Sequence, residues 1–179
     1  MRVCVSCVCY HALCSSIRLE LFFTLHPFPG VLSVIVRLYC EEIDVGEDAP
    51  RQIASGLRDH YSLEQMQGRL VIVVCNLKEA KLVGFSSNGM VLAAKNGEGL
   101  VQLVTPPPDA VVGERLFLEG VPNVDAFSPS RVKKFKVWEN IFVRQLCTDA
   151  DCIATWGSLP LLTSAGRCFV ESAANAPIS

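Results

Sequence analysis

No apolar run in this sequence reaches the roughly eighteen residues that a membrane-spanning helix needs. Residues 21–36 come closest, and Pro27, Pro29 and Gly30 interrupt them. The sequence also has no glycine-rich phosphate loop and no dinucleotide fingerprint, so neither route to nucleotide binding has its motif. Histidine is scarce, with only His11, His26 and His60. His60 beside Asp59 reads as a solvated loop pair rather than a catalytic dyad, because catalysis requires groups that converge on one point. Internal repeats and low-complexity tracts are missing, which excludes a solenoid. Strong net charge is missing too: the balance is −2 with 50% hydrophobic and 19% charged residues, so the 179-residue chain is no polyelectrolyte tail and can bury a core.

The averages conceal a division. Residues 1–37 carry three Arg, one Glu and four of the nine cysteines, whereas residues 38–179 hold 13 Lys or Arg against 17 Asp or Glu, a balance of −4. The opening segment has the outline of a secretory signal, but His11, the cysteines and Arg18 break its apolar run. Cys4, Cys7, Cys9 and Cys14 with His11 are soft-metal ligands, yet all fall within eleven residues with no second knuckle, which is not how structural zinc sites pair their ligands. No metal is expected. The cysteine count is odd and Cys75 lies in an apolar run, so reduced thiols are expected throughout. The segment 1–37 is read as an atypical Cys-rich stretch, either disordered or mispredicted.

From residue 38 onward the pattern is β-rich. Leu38 to Val45 reads as a strand ended by Gly46, Arg51 to Leu57 as a second, and Ser62 with Gln65 as a capping box opening a helix over Leu63–Gln67. The five branched or aliphatic residues within Arg69–Asn76 fit a strand buried on both faces, expected to be the central one. Gly89–Ala94, Leu100–Val104 and Arg115–Glu119 supply three more short strands, a spacing that favours a small barrel. A basic segment, Arg131 to Lys136, leads into Val137–Phe142, a helical or extended connector. Cys152–Trp156 and Gly166–Glu171 read as two strands of a β appendage.

Between two of these strands lies Asn76-Leu77-Lys78-Glu79-Ala80-Lys81-Leu82-Val83-Gly84-Phe85-Ser86-Ser87-Asn88-Gly89-Met90, read as a loop. Its amides and hydroxyls could contact bases or sugars, with Lys78 and Lys81 neutralising phosphates. On residue physics alone a solvated surface loop is the more economical reading. The wider pattern of motifs is more specific. Leu38-Tyr39, Glu41-Glu42-Ile43-Asp44-Val45-Gly46-Glu47, Pro50-Arg51, Ser55-Gly56-Leu57, Leu63 to Gln67, Asn76-Leu77-Lys78, Gly84, Ser87 and Gly89-Met90 stand in one order. The proline loop with Gly113-Glu114-Arg115, and Lys133-Lys134 to Trp138-Glu139, continue it. In this order and spacing, residues 38–179 resemble the tRNA-binding domain related to endothelial monocyte-activating polypeptide II. That domain occurs at the C-terminus of some methionyl- and tyrosyl-tRNA synthetases and in their accessory factors, and the ending through Thr163 to Cys168 looks most like the plant-type methionyl-tRNA synthetase version.

The resemblance implies an all-β chain. Residues 38–130 would form a five-stranded OB-fold barrel that binds tRNA by backbone and shape. Residues 131–179 would be a basic connector and a C-terminal subdomain that packs on the barrel and imitates a dimer partner. It implies no catalysis, no cofactor and no membrane, a cytoplasmic monomer, and tRNA with a methionyl- or tyrosyl-tRNA synthetase as partners. By matched position, Asn76, Lys78, Lys81, Ser87 and Met90 belong to the binding-side loop and Lys133, Lys134 and Lys136 to the basic connector; Met90 also reads as core. The resemblance leaves open a protein-interaction or cytokine-like module with weakened RNA affinity. The family usually has proline where Glu79 stands, methionine at Leu82 and arginine at Val83, so this loop loses a cation and gains an anion. Ile17-Arg18-Leu19-Glu20 and His26-Pro27 only echo the family's opening strand. A misplaced start, a retained intron or divergence would each account for that. Without a first strand the barrel would have an open edge; alternatively Leu19 to Leu25 supplies it.

Overall fold

The structure, a computed structural model, describes residues 19–27 and 38–179. The readings placed on Cys4, Cys7, Cys9, Cys14, His11, Ile17 and Arg18 lie outside the described residues.

Five antiparallel strands make the first sheet: β1 (Leu19–Pro27), β2 (Tyr39–Asp44), β3 (Arg51–Ser55), β4 (Leu70–Val74) and β7 (Met90–Val91), ordered β3-β2-β1-β4-β7. The segment Leu19–Pro27 therefore fills the place of the missing first strand. It pairs with β4 from Leu19↔Val74 to Phe23↔Leu70 and with β2 from Phe23↔Asp44 to Pro27↔Glu41, with a register shift between Thr24 and His26. The middle of the sheet is thus β1, not β4, which lies one place further over. The expected burial of β4 on both faces holds. Val71, Val73 and Cys75 join Ile43, Ile53, Leu57, Met66, Val91 and Leu103 in one core, while Ile72 and Val74 belong to a second. Period-two alternation makes this possible, because successive side chains leave opposite faces of a strand. The helix Leu63–Met66 closes the first core with Met66 and carries the expected capping box between Ser62 and Gln65.

The stretch read as a loop contains a hairpin, β5 (Ala80–Leu82) against β6 (Phe85–Ser87), and a second hairpin pairs β8 (Ala93–Lys95) with β9 (Val101–Leu103). The other large sheet is built mainly from the C-terminal third: β11 (Leu146–Thr148), β12 (Ala154–Trp156), β13 (Leu159–Thr163) and β14 (Gly166–Arg167). Its remaining strand is β10 (Phe117–Leu118), which pairs Phe117↔Leu162 and Leu118↔Leu161. Arg115–Glu119 therefore serves the appendage and not the first sheet. The two sheets share the second core, in which Ile72, Val74, Leu92, Ala94 and Val104 meet Val132, Val137, Phe142, Leu146, Trp156, Leu161, Cys168 and Ile178. Backbone pairs join the C-terminal segment to the β8–β9 hairpin and the chain after it: Thr105 and Phe169 exchange hydrogen bonds at 2.7 and 2.9 Å, and Ala93 and Ser179 exchange two at 3.0 Å. Gly46 and Gly113, both at positive φ, let two loops touch, since a Cβ at either would lie 3.0–3.2 Å from the other's Cα. Cys75 and Cys168 are small buried core residues, and burial pushes the Cys168 thiol up to about 12.

Two positions are poorly matched to their surroundings, and each generates a prediction. The β5–β6 turn consists of Val83 and Gly84, both at positive φ (49° and 87°), the geometry of a type I′ hairpin. Glycine adopts it without cost, but for a β-branched residue it is an outlier. Substituting Val83→Asn, which makes the favoured Asn-Gly pair, is expected to stabilise the hairpin by about 1 kcal/mol. Slower hydrogen exchange at the β5 and β6 amides, by about fivefold, checks it.

Glu41 points to the same buried face of β2 as Ile43, and neither carboxylate oxygen has a hydrogen-bond partner. Burial pushes its pKa up from the ordinary 4.5 to about 7; the Ser55 hydroxyl pulls the other way without reaching hydrogen-bond geometry. A carboxyl that holds its proton more tightly when folded lowers stability as pH rises from about 4.5 to about 7, with no further loss above. Relative to Glu41→Gln, the wild type is expected to lose up to about 3 kcal/mol across that window. Urea titrations of both proteins at pH 5 and pH 8 test this; a constant difference would contradict it.

Candidate nucleic-acid interface

The candidate residues separate by burial. Asn76 continues directly from β4, is 5% exposed, and its Nδ2 donates to the Phe127 carbonyl at 3.0 Å. That bond ties the end of β4 to the chain entering the helix Pro129–Phe135, so Asn76 positions the site from within. Ser87 is also buried: its Oγ accepts from the Ala54 amide and donates to the Gly89 carbonyl, each at 3.0 Å. Met90 is half-buried and packs on the second core. Buried polar groups are ordinarily saturated in this way, because an unmade bond costs more than a made one returns.

The cations behave differently. Lys78, Lys81, Lys133, Lys134 and Lys136 are all exposed. Lys78 and Glu79 line an open cleft of about 680 Å³ whose other walls include Glu47, Arg51, Pro129 and Ser130. The cleft therefore lies between the base of the β5–β6 hairpin and the first turn of the helix that carries Lys133 and Lys134. Arg51, quoted only as part of a motif in the sequence, is a structural clamp there. It forms a bidentate pair with the Glu47 carboxylate at 2.5 and 2.8 Å and donates to the Cys75 and Asn88 carbonyls at 2.6 and 3.0 Å. Glu79 accepts from the Ser86 hydroxyl across the hairpin at 2.6 Å. Lys81 stands opposite Ser86 in the hairpin register.

The basic segment is helical for local reasons. Pro129 occupies the first turn, where its missing N–H costs nothing, and Lys133 and Lys134 fall in the last turn, where positive charge suits the helix dipole. Lys136 ends the helix in the left-handed conformation, its amide donating to the Val132 and Lys133 carbonyls. Val132 anchors the helix in the core and leaves the basic side chains in solvent. The connector beyond it, Trp138–Phe142, is a π-helical turn whose Trp138 and Phe142 rings stack with each other at 5.4 Å, and Phe142 stacks on Trp156 at 6.2 Å. Arg131 and Phe135, members of the basic segment to which the sequence analysis gives no binding role, put an aromatic ring among closely spaced cations. The Arg131 guanidinium lies 3.9 Å over the Phe127 ring.

Asp59 and His60 are both exposed on a turn. Among the described residues no group of three or more His, Cys, Asp or Glu could hold a metal, and no helix is long and apolar enough to cross a membrane.

The family model tRNA_bind, for a tRNA binding domain, matches residues 34–115. The chain is 44% identical over 145 residues to the cytoplasmic methionine–tRNA ligase of Arabidopsis thaliana, covering 79% of this chain and 17% of that protein. It is 41% identical over 144 residues to the aminoacyl tRNA synthase complex-interacting multifunctional protein 1 of Mus musculus, covering 79% of this chain and 44% of that protein. The chain thus spans less than half the length of either relative. Among solved structures, the C-terminal domain of Plasmodium vivax p43 superposes with a TM-score of 0.75 at 27% identity, covering 92% of this chain and 98% of that one. The chain carries a domain of the tRNA-binding family shared by the endothelial monocyte-activating polypeptide II-like factors and by methionyl- and tyrosyl-tRNA synthetases.

Proposed function

We propose that this chain is a non-catalytic tRNA-binding module that retains or delivers tRNA for an aminoacyl-tRNA synthetase of the methionyl or tyrosyl type in the cytoplasm. The observation that carries the reading is the cleft between two lysine-bearing elements, with Lys78 on one side and the helix of Lys133 and Lys134 starting on the other. The first sheet and the β8–β9 hairpin would form an OB-type barrel, and the C-terminal sheet would stand where a second copy stands in a dimer, leaving a monomer. Lys78, Lys81, Lys133, Lys134 and Lys136 contact phosphates, while Asn76, Ser87 and Met90 hold the backbone that presents them. The contacts are few and residues 38–179 carry −4, so affinity is modest and salt-sensitive.

Purified protein is expected to retain total tRNA at about 50 mM salt and to lose most of it by about 200 mM. Reversing Lys78 and Lys81 together to Glu should weaken binding to all tRNAs alike and flatten the dependence on salt, by roughly one unit of log–log slope per lost phosphate contact. No retention at the low end defeats the proposal, and an unchanged slope removes the hairpin from the interface. The acidic balance and Glu79 favour a second reading, a protein-interaction or cytokine-like module on the same scaffold. Co-purification of a synthetase that survives nuclease treatment, without tRNA retention, would replace the first reading by the second.

A further inference from the structure

A large apolar ring stands in the most basic stretch of the chain. Phe135, on the last turn of the helix Pro129–Phe135, is 53% exposed, and Arg131, Lys133, Lys134 and Lys136 are exposed on both sides of it in sequence. A single exposed phenylalanine is ordinary; its setting here is not. Arg131 precedes it by four residues and so shares its side of the helix. The Arg131 guanidinium stacks over Phe127 at 3.9 Å and lies 5.9 Å from the Phe135 ring centroid, and the Lys134 ammonium lies 5.6 Å from that centroid. Phe127, whose carbonyl receives the Asn76 amide, fixes this assembly to the end of β4. The ring is thus flanked by cations and held on a helix that Val132 anchors in the core.

This combination matches what an unpaired nucleobase requires. A base presents a π-face to an aromatic ring, and its flanking phosphates require cations within a few ångströms of that ring. We propose that Phe135 is a stacking platform for one unpaired base of the bound RNA, with Arg131, Lys133 and Lys134 neutralising the phosphates beside it. The inference rests on the tRNA-binding reading and adds to it a preference for RNA with accessible single-stranded bases over fully paired RNA. A paired helix buries its base faces and offers this ring nothing, although its phosphates still attract the lysines.

The test uses the full chain with two probes, deacylated tRNA and a blunt, fully paired RNA duplex of similar length, in a salt series. Phe135→Ala is expected to weaken tRNA binding by about 5- to 100-fold, the span of one lost base–aromatic stack. It should leave duplex binding and the tRNA salt slope unchanged, because the ring carries no charge. Phe135→Tyr should bind tRNA like the wild type, whereas Phe135→Leu, apolar but not aromatic, should behave like Phe135→Ala. The melting temperature of each variant should fall by only a few degrees, since about half of the side chain is in solvent. Wild-type tRNA affinity in Phe135→Ala or Phe135→Leu, or an equal loss on both probes, would overturn the stacking role while leaving the tRNA reading intact. A wild-type protein that binds neither probe would overturn that reading, and this inference with it.

Discussion

The strand Leu70–Val74 is the wall on which both halves of the structure are built. Its alternation sends Val71, Val73 and, just past its end, Cys75 into the core of the first sheet, and sends Ile72 and Val74 into the core shared with the C-terminal sheet. Full burial of an aliphatic side chain stabilises by about 1.5–3 kcal/mol before conformational entropy is counted. Neither core can be altered through this strand without disturbing its neighbour. The same constraint fixes the candidate interface. The chain leaving β4 is held on both faces, so Asn76, Leu77 and Lys78 emerge at a set place, and the Asn76 bond to the Phe127 carbonyl brings the basic helix to them.

That bond illustrates how one motif divides into framework and contact. Asn76, Ser87 and Arg51 are polar residues of the kind that recognise ligands, but each spends its hydrogen bonds within the chain. Arg51 draws the carbonyls of Cys75 and Asn88 towards one guanidinium, spanning the base of the segment that carries the hairpin. The lysines contribute little to the fold, and their long stems and solvated heads remain available. A hydrogen-bonded polar framework beneath exposed cations is an arrangement suited to reading a phosphate backbone by shape, because register is set by the scaffold and charge is supplied at its surface.

Much of the first sheet was legible because its signals are local. Partial alternation marks β2, an aliphatic run marks β4, and Ser62 with Gln65 marks a helix whose capping box is formed. What escaped depends on partners distant in sequence or on residues that contradict their surroundings. The β5–β6 hairpin lies in a stretch whose lysines, short polar side chains and glycines read as a loop, and Val83 is a poor residue for the positive-φ turn it occupies. Strand β13 has no counterpart in the sequence analysis; it contains Pro160, which cannot donate to a ladder, yet it pairs with Thr155 there. Phe117 and Leu118 were assigned to the wrong sheet because their partners, Leu162 and Leu161, lie more than forty residues on. The resemblance names the eight candidate site residues as one group, and the structure divides them. Only burial separates Asn76 and Ser87 from Lys78 and Lys81, and burial is a property of the fold.

Charge must be read at the same scale. The −4 of residues 38–179 sets the far field, which opposes the approach of a polyanion and limits non-specific capture. At close range the Debye length is about 10 Å at 0.1 M salt, so charges on the far side of the molecule are largely screened from the cleft. Over Ala126–Trp138 the chain has four cations and no anion. On the proposed reading, a tRNA that reaches this surface in register meets a positive field that the net charge conceals, while one that approaches elsewhere is repelled. Glu79 sharpens the contrast: its carboxylate sits beside Lys78 at the cleft and is held across the hairpin by Ser86, so the hairpin side contributes less attraction than its two lysines suggest. On the same reading the balance of affinity shifts to the helix, where no acid lies among the cations of Ala126–Trp138 and the cations are gathered around an aromatic ring.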